Sequence, residues 1–216
     1  MRALRNLAIF LVVVLVIGIA ADFGTQKLLE NRIEAEIEGA DRTVDVGNVV
    51  ADIDSFPFLL RLGLRGEVDR FSLRLEDLVT PGVTFAVLQL QVDGVTFDRS
   101  VLLNASVQVQ RLDRATIKAE ITEAAASEAV GVPVTFTPDT VTVQVAGQPR
   151  TAQVAVADGD LTLAAEGVGE LTIALSDSNY FPCPIEAQVR QAKVVLRCTA
   201  TELPPALRPF IGGGAG

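Results

Sequence analysis

Between Glu67 and Phe97, apolar and polar residues take turns. Phe71, Leu73 and Leu75 alternate with Arg70, Ser72 and Arg74, and Leu88, Leu90 and Val92 alternate with Gln89, Gln91 and Asp93. A period of two puts the apolar members of a strand on one side. Between the two runs stands Thr80-Pro81-Gly82. Pro presets φ and Gly accepts a positive φ, so the chain reverses here. The stretch predicts a long β-hairpin. A lone hairpin is marginal in water, so further strands must join it and its apolar side must be covered.

The same period recurs on both sides. Val44, Val46, Val49 and Val50 mark a strand within residues 41–54, and two more are predicted over 101–109 and 115–121. Beyond Gly131, short runs are split by Thr137-Pro138-Asp139, Gly147-Gln148-Pro149, Asp158-Gly159-Asp160 and Gly167-Val168-Gly169. Turn signals at intervals of about ten residues predict an antiparallel meander. A last hairpin is predicted over 185–189 and 193–199.

Helical spacing appears in two places. Leu29, Ile33 and Ile37 recur every fourth residue across 22–38, among mostly acidic neighbours that suit packing on the sheet better than a membrane-surface helix, with Gly39 as the stop. Thr122 caps a short helix over 122–130 that ends at Gly131. The stretch Ser55-Phe56-Pro57-Phe58-Leu59-Leu60-Arg61-Leu62-Gly63 is too apolar for an ordinary loop. Pro57 suits the first turn of a short helix, with Ser55 near its cap. Roughly ten strands thus have only two helices of useful length to cover them. The sheet must close on itself or curl around something else, of which a lipid tail is one instance. A filled aliphatic core has the same residue pattern.

Arg2 and Arg5 precede Leu7–Ala21, fifteen residues without a charge. As a helix this run spans roughly 22 Å, short of a hydrocarbon core of about 30 Å. The basic start and the small residues Gly18 and Ala20 predict a secretory signal over 1–21 rather than the plain alternative of a buried core helix, with an uncleaved anchor as the rival. Either way the rest of the chain lies outside the cytoplasmic membrane. About 190 residues are enough for one domain with a real core. That domain is expected over 22–208, with 209–216 a disordered glycine-rich tail. The chain has no His and a net charge of −9. Lack of His removes the usual general base and the commonest metal ligand. The acidity argues against nucleic acid. No nucleophile elbow, phosphate loop or metal motif occurs, so neither catalysis nor a metal or cofactor is expected.

Several features together resemble one family. They are the export segment, the acidic helix after it, Ser55-Phe56-Pro57-Phe58-Leu59-Leu60, the hairpin from Gly66 to Phe97 with Val95 near its end, and Cys183 and Cys198 followed by Leu203-Pro204-Pro205. The whole is similar to the actinobacterial LmeA (lipomannan elongation factor A) family of envelope phospholipid-binding proteins. The resemblance implies an α+β fold. A strongly curved antiparallel sheet of about ten strands would wrap around one long and one short helix, like one half of bactericidal/permeability-increasing protein. It further implies a non-catalytic phospholipid carrier outside the plasma membrane that supports lipoglycan synthesis. Its partners would be a phospholipid of phosphatidylinositol type, the membrane surface and an envelope glycosyltransferase. The rival is a scaffold for an envelope enzyme, with a filled core and no cargo.

On the lipid-binding reading, acyl chains lie along Phe71, Leu73, Leu88, Leu90 and Val92, under the segment carrying Phe56, Phe58, Leu59 and Leu62. That segment also suits a membrane-touching tip or plain core. Arg61 and Arg65 would stand at the mouth as head-group ligands, since the guanidinium fork matches phosphate. With Arg70 and Arg74 they form the densest basic cluster of the chain, although a charged strand face is commonly just solvated. Cys183 and Cys198 are the only cysteines. In an exported domain such a pair reads as a disulfide. Two thiols without His make a poor metal site, and a redox pair normally sits closer in sequence. The bond would close a sixteen-residue loop, worth about 3 kcal/mol on the loop-entropy model.

Overall fold

The computed structural model describes residues 22, 24–28, 30–31, 46–57, 61, 64–97, 109–175 and 179–205. Five strands come first: β1 (Asn48–Asp54), β2 (Glu67–Thr80), β3 (Val83–Phe97), β4 (Val109–Arg111) and β5 (Arg114–Thr122). Helix α1 (Glu123–Val130) follows. The meander is β6 (Val134–Thr137), β7 (Thr140–Val145), β8 (Gln148–Ala157), β9 (Asp160–Ala165) and β10 (Gly169–Ile173). The hairpin β11 (Glu186–Arg190) and β12 (Lys193–Ala200) comes last.

All pairings are antiparallel, and they build two sheets rather than one. The first runs β1-β2-β3-β5-β12-β11, with β4 on β3; the second runs β10-β9-β8-β7-β6. Neither order returns to its first strand among the described residues, so neither closes into a barrel. The expectation of a single sheet is corrected here, and the break has a local cause. At α1 the Thr122 hydroxyl accepts from Ala125 N–H at 3.3 Å, which starts a helix where β5 would otherwise run on. Gly131 ends it with φ 72°, its N–H donating to Ser127 O at 2.9 Å. A left-handed C-cap redirects the chain at little cost for Gly. The chain leaves the first sheet here, builds the second, and returns as β12 to pair with β5.

Of the long helix expected over 22–38, residues 22, 24–28, 30 and 31 are helical; its remainder lies outside the described residues. Residues 1–21, most of the strand expected over 101–109, and the tail over 209–216 lie outside them as well. Among the described residues no helix is long and apolar enough to cross a membrane. In β1, Val49, Ala51 and Ile53 are buried while Val50 faces out, because neighbours on a strand cannot share a face.

The β2–β3 hairpin rolls over along its length. Leu75 and Leu88 are partners and both are buried. Three residues further toward the tip, the partners Leu78 and Phe85 are also fully buried. Strict alternation would put Leu78 on the opposite side from Leu75. The buried side therefore changes at Asp77, which has φ 52°. It changes again near the base, where Val68 and Val95 are buried three residues from Phe71 and Val92. Here Gly94 has φ 65°, and a Cβ on it would stand 2.9 Å from Asp113 Cβ, so only Gly fits. The tip segment turns toward the second sheet. The Phe85 and Phe181 rings meet edge to face with centroids 6.1 Å apart.

Helix α1 joins the sheets. It packs on β3 and β5 of the first and on β6 and β10 of the second. Glu123 Oε1 accepts from Phe136 N–H at 2.7 Å, and Ser127 Oγ from Val134 N–H at 2.8 Å. On the other flank Ala192 N–H donates to Phe136 O at 3.0 Å. The buried residues of both sheets form one continuous core.

Candidate functional site

The register of the first sheet places its inward residues in rows. Ala51, Leu73, Leu90, Ile117 and Cys198 are successive partners across five strands. Beside them run Ile53, Phe71, Val92, Ala115 and Ala200 on one side and Val49, Leu75, Leu88, Ala119 and Leu196 on the other. The five expected wall residues, Phe71, Leu73, Leu88, Leu90 and Val92, are therefore neighbours on one aliphatic face. All five are buried. An aliphatic face of this kind attracts by area rather than direction, which suits acyl chains.

The segment expected to cover this face is less uniform. Phe56 is mostly exposed, and Phe58, Leu59 and Leu62 lie outside the described residues. Ser55 is buried, and its hydroxyl accepts from Asp69 N–H at 3.4 Å, tying the end of β1 to the start of β2. Arg61 N–H donates to Pro57 O at 3.1 Å, and the Arg61 guanidinium is ion-paired with Asp69. Arg65 is exposed and, among the described residues, carries no ion pair. Of the two head-group candidates, Arg61 thus has its fork committed to an acid, and Arg65 has no such partner among the described residues.

The other arginines of the cluster are on the outer face and balanced by acids. Arg70 Nε lies 2.9 Å from Asp93 Oδ1 and its Nη1 3.5 Å from Asp54. Arg74 pairs with Glu76 at 2.8 Å. Glu120 sits between two lysines, at 3.0 Å from Lys118 and 2.6 Å from Lys193. Burial alone would raise the Glu120 pKa, but hydrogen bonds from Lys193 and Lys118 outweigh it and hold the carboxyl below its usual range. The Arg70 hydrogen bond does the same for Asp93 against a smaller effect of burial. A carboxylate depressed in the folded state contributes fully above its ordinary pKa of about 4. The contribution is lost as pH falls through the lower folded value. Urea midpoints are therefore expected to drop on acidification below about pH 4, and Glu120→Gln should flatten part of that drop. An identical profile in the variant would mean that the lysine pair adds nothing to stability.

Cys183 and Cys198 are joined in a disulfide, with Cα atoms 5.7 Å apart. Cys198 ends the central apolar row of the first sheet. Cys183 lines a cleft of about 460 Å³ between the β8–β9 turn and the 179–185 segment. Val156, Leu175, Phe181 and Ile185 supply its apolar walls, with Asp158 and Asn179 among its polar residues. That volume is within the range of small-molecule sites. Sequence patterning did not point to this cleft, because it is formed by residues from separate turns. Its one local signal was Phe181-Pro182-Cys183-Pro184, a stiff cysteine-bearing segment.

Among the described residues no group of three Asp, Glu or Cys side chains could hold a metal ion. A family model described as LmeA-like phospholipid-binding matches residues 20–209. No curated protein and no solved structure matches the chain.

Proposed function

The chain belongs to the LmeA-like phospholipid-binding family, and from that premise we propose that it is a non-catalytic phospholipid carrier of the cell envelope. The family match over nearly the whole chain carries the proposal. The export-type segment 1–21 supports a place on the outer side of the plasma membrane for a single domain over 22–208, anchored or released. The role we assign is support of lipoglycan synthesis, lipomannan being the family's case, alongside an envelope glycosyltransferase. The lipid we assign is of phosphatidylinositol type. Its acyl chains would lie on the face of Phe71, Leu73, Leu88, Leu90 and Val92, near the Phe56–Leu62 segment, with Arg65 and, on release from Asp69, Arg61 toward the phosphate. In this reading the first sheet curves around helix, as in one half of bactericidal/permeability-increasing protein.

One observation favours a second reading. The five wall residues are buried by the chain's own atoms, as in a scaffold with a filled core. Native mass spectrometry separates the two. Protein from Asp22 onward, purified without detergent, is expected to carry phospholipid or to take it up from vesicles. Clean apo protein that extracts nothing from vesicles would favour the scaffold.

A further inference from the structure

Among the described residues, large apolar side chains are exposed at five places, and three of these are carried to one end of the first sheet. Leu28 is 73% exposed, Leu64 63% and Phe56 56%. Phe56 follows β1 by two residues, and Leu64 precedes β2 by three. Leu28 is brought there by its helix. Glu30 Oε1 accepts from Ile53 N–H at 2.9 Å, and the Gln26 amide donates to Ile53 O, which seats helical residues 24–28, 30 and 31 against the end of β1. The Arg61–Asp69 pair and the Asp69–Ser55 hydrogen bond hold the β1–β2 connection at the same end.

We propose that this end, through Leu28, Phe56 and Leu64 with Arg65 beside them, rests on the surface of a phospholipid bilayer. The inference rests on the lipid-binding reading and adds to it the direction from which lipid is reached. Exposed apolar side chains gain by entering the acyl boundary, and a neighbouring arginine can meet a phosphate there. A net charge of −9 works against general attraction to an anionic membrane. Contact must then come from local apolar burial, and this end carries the side chains for it. Chain continuity points the same way. Leu28 stands shortly after Leu7–Ala21, the charge-free run expected to be a signal or anchor.

The chain has no Trp, so a single introduced Trp reports its own surroundings. Phe56→Trp, Leu64→Trp and, as a control, Val79→Trp would be made in the full chain. Val79 is also exposed but lies at the far end of β2, roughly 40 Å away by strand rise. Each variant is placed in vesicles of phosphatidylcholine and phosphatidylinositol, with and without brominated acyl chains. Phe56→Trp and Leu64→Trp should shift to the blue and lose emission to the brominated lipid while the vesicles are present, and regain it once the vesicles are removed. Quenching that persists on the freed protein comes from carried lipid and overturns the proposal. Val79→Trp keeps its emission throughout. Unquenched emission at 56 and 64 overturns the proposal, and so does a blue shift without quenching, which would mean a protein cover. Lipid content measured separately keeps the outcomes apart. Bound lipid with unquenched Trp sinks this docking surface alone, whereas quenched Trp with no bound lipid sinks the carrier reading alone.

Discussion

Leu90→Trp is expected to give a folded domain that takes up no phospholipid. Leu90 lies at the centre of the aliphatic face, with Leu73 on β2 and Ile117 on β5 as its partners. It is fully buried, so the larger ring must displace something. If acyl chains share this face, the indole takes their place. Overpacking in a core costs about 1–3 kcal/mol, which a domain of ordinary stability, about 5–15 kcal/mol, survives. The checks are circular dichroism for folding and mass spectrometry for bound lipid. A folded variant with a full complement of lipid would move the acyl chains elsewhere, and the cleft beside Cys183 would be the next place to block. A variant that does not fold would assign Leu90 to a packed core and favour the scaffold.

Removing both cysteines by Cys183→Ala and Cys198→Ala should destabilise the domain by about 3 kcal/mol, the loop-entropy value for a closure of this size. For a chain of this length that corresponds to a fall in Tm of roughly 6–12 °C. The segment that Cys183 anchors makes one wall of the cleft and holds Phe181 against Phe85. Loss of the bond should therefore loosen the hairpin tip as well as the cleft, visible as faster amide exchange at both. A double variant as stable as the parent, with unchanged exchange at the tip, would show that local packing alone positions this segment.

Much of the fold is legible in the chain because its signals are local. The hairpin was expected over Glu67–Phe97 with its turn at Pro81-Gly82, and β2 and β3 have those bounds. Thr122 and Gly131 mark the ends of α1 by cap chemistry that three or four residues determine. The meander follows its Gly and Pro turns except that Gln148 and Pro149, expected in a turn with Gly147, open β8 and pair with β7. What escaped the pattern depends on long-range geometry. Alternation is the same in one sheet as in two, and only the pairing of β12 with β5 decides between them. The side change at Asp77 needs a positive φ at a residue that also sits comfortably in a plain strand. The five wall residues were legible as sharing a side, since period two dictates it. Whether that side is filled depends on what packs against it, which alternation does not record. Arg61 looked available for a phosphate, but Asp69, eight residues on, holds it.

The rolled hairpin has a mechanical consequence. Its middle faces the core of the first sheet, and at its tip Leu78 and Phe85 are buried, Phe85 against Phe181. A twist applied at either end of such a ribbon is carried along it, because its cross-strand hydrogen bonds resist shear. Making room on the aliphatic face would require β2 and β3 to bend where their tip is pinned by Phe181 and Gly82 stands against Ala174. Loading at one sheet would then register as strain at the other. The two sheets would act as the arms of one spring, with Asp77 as the coil between them.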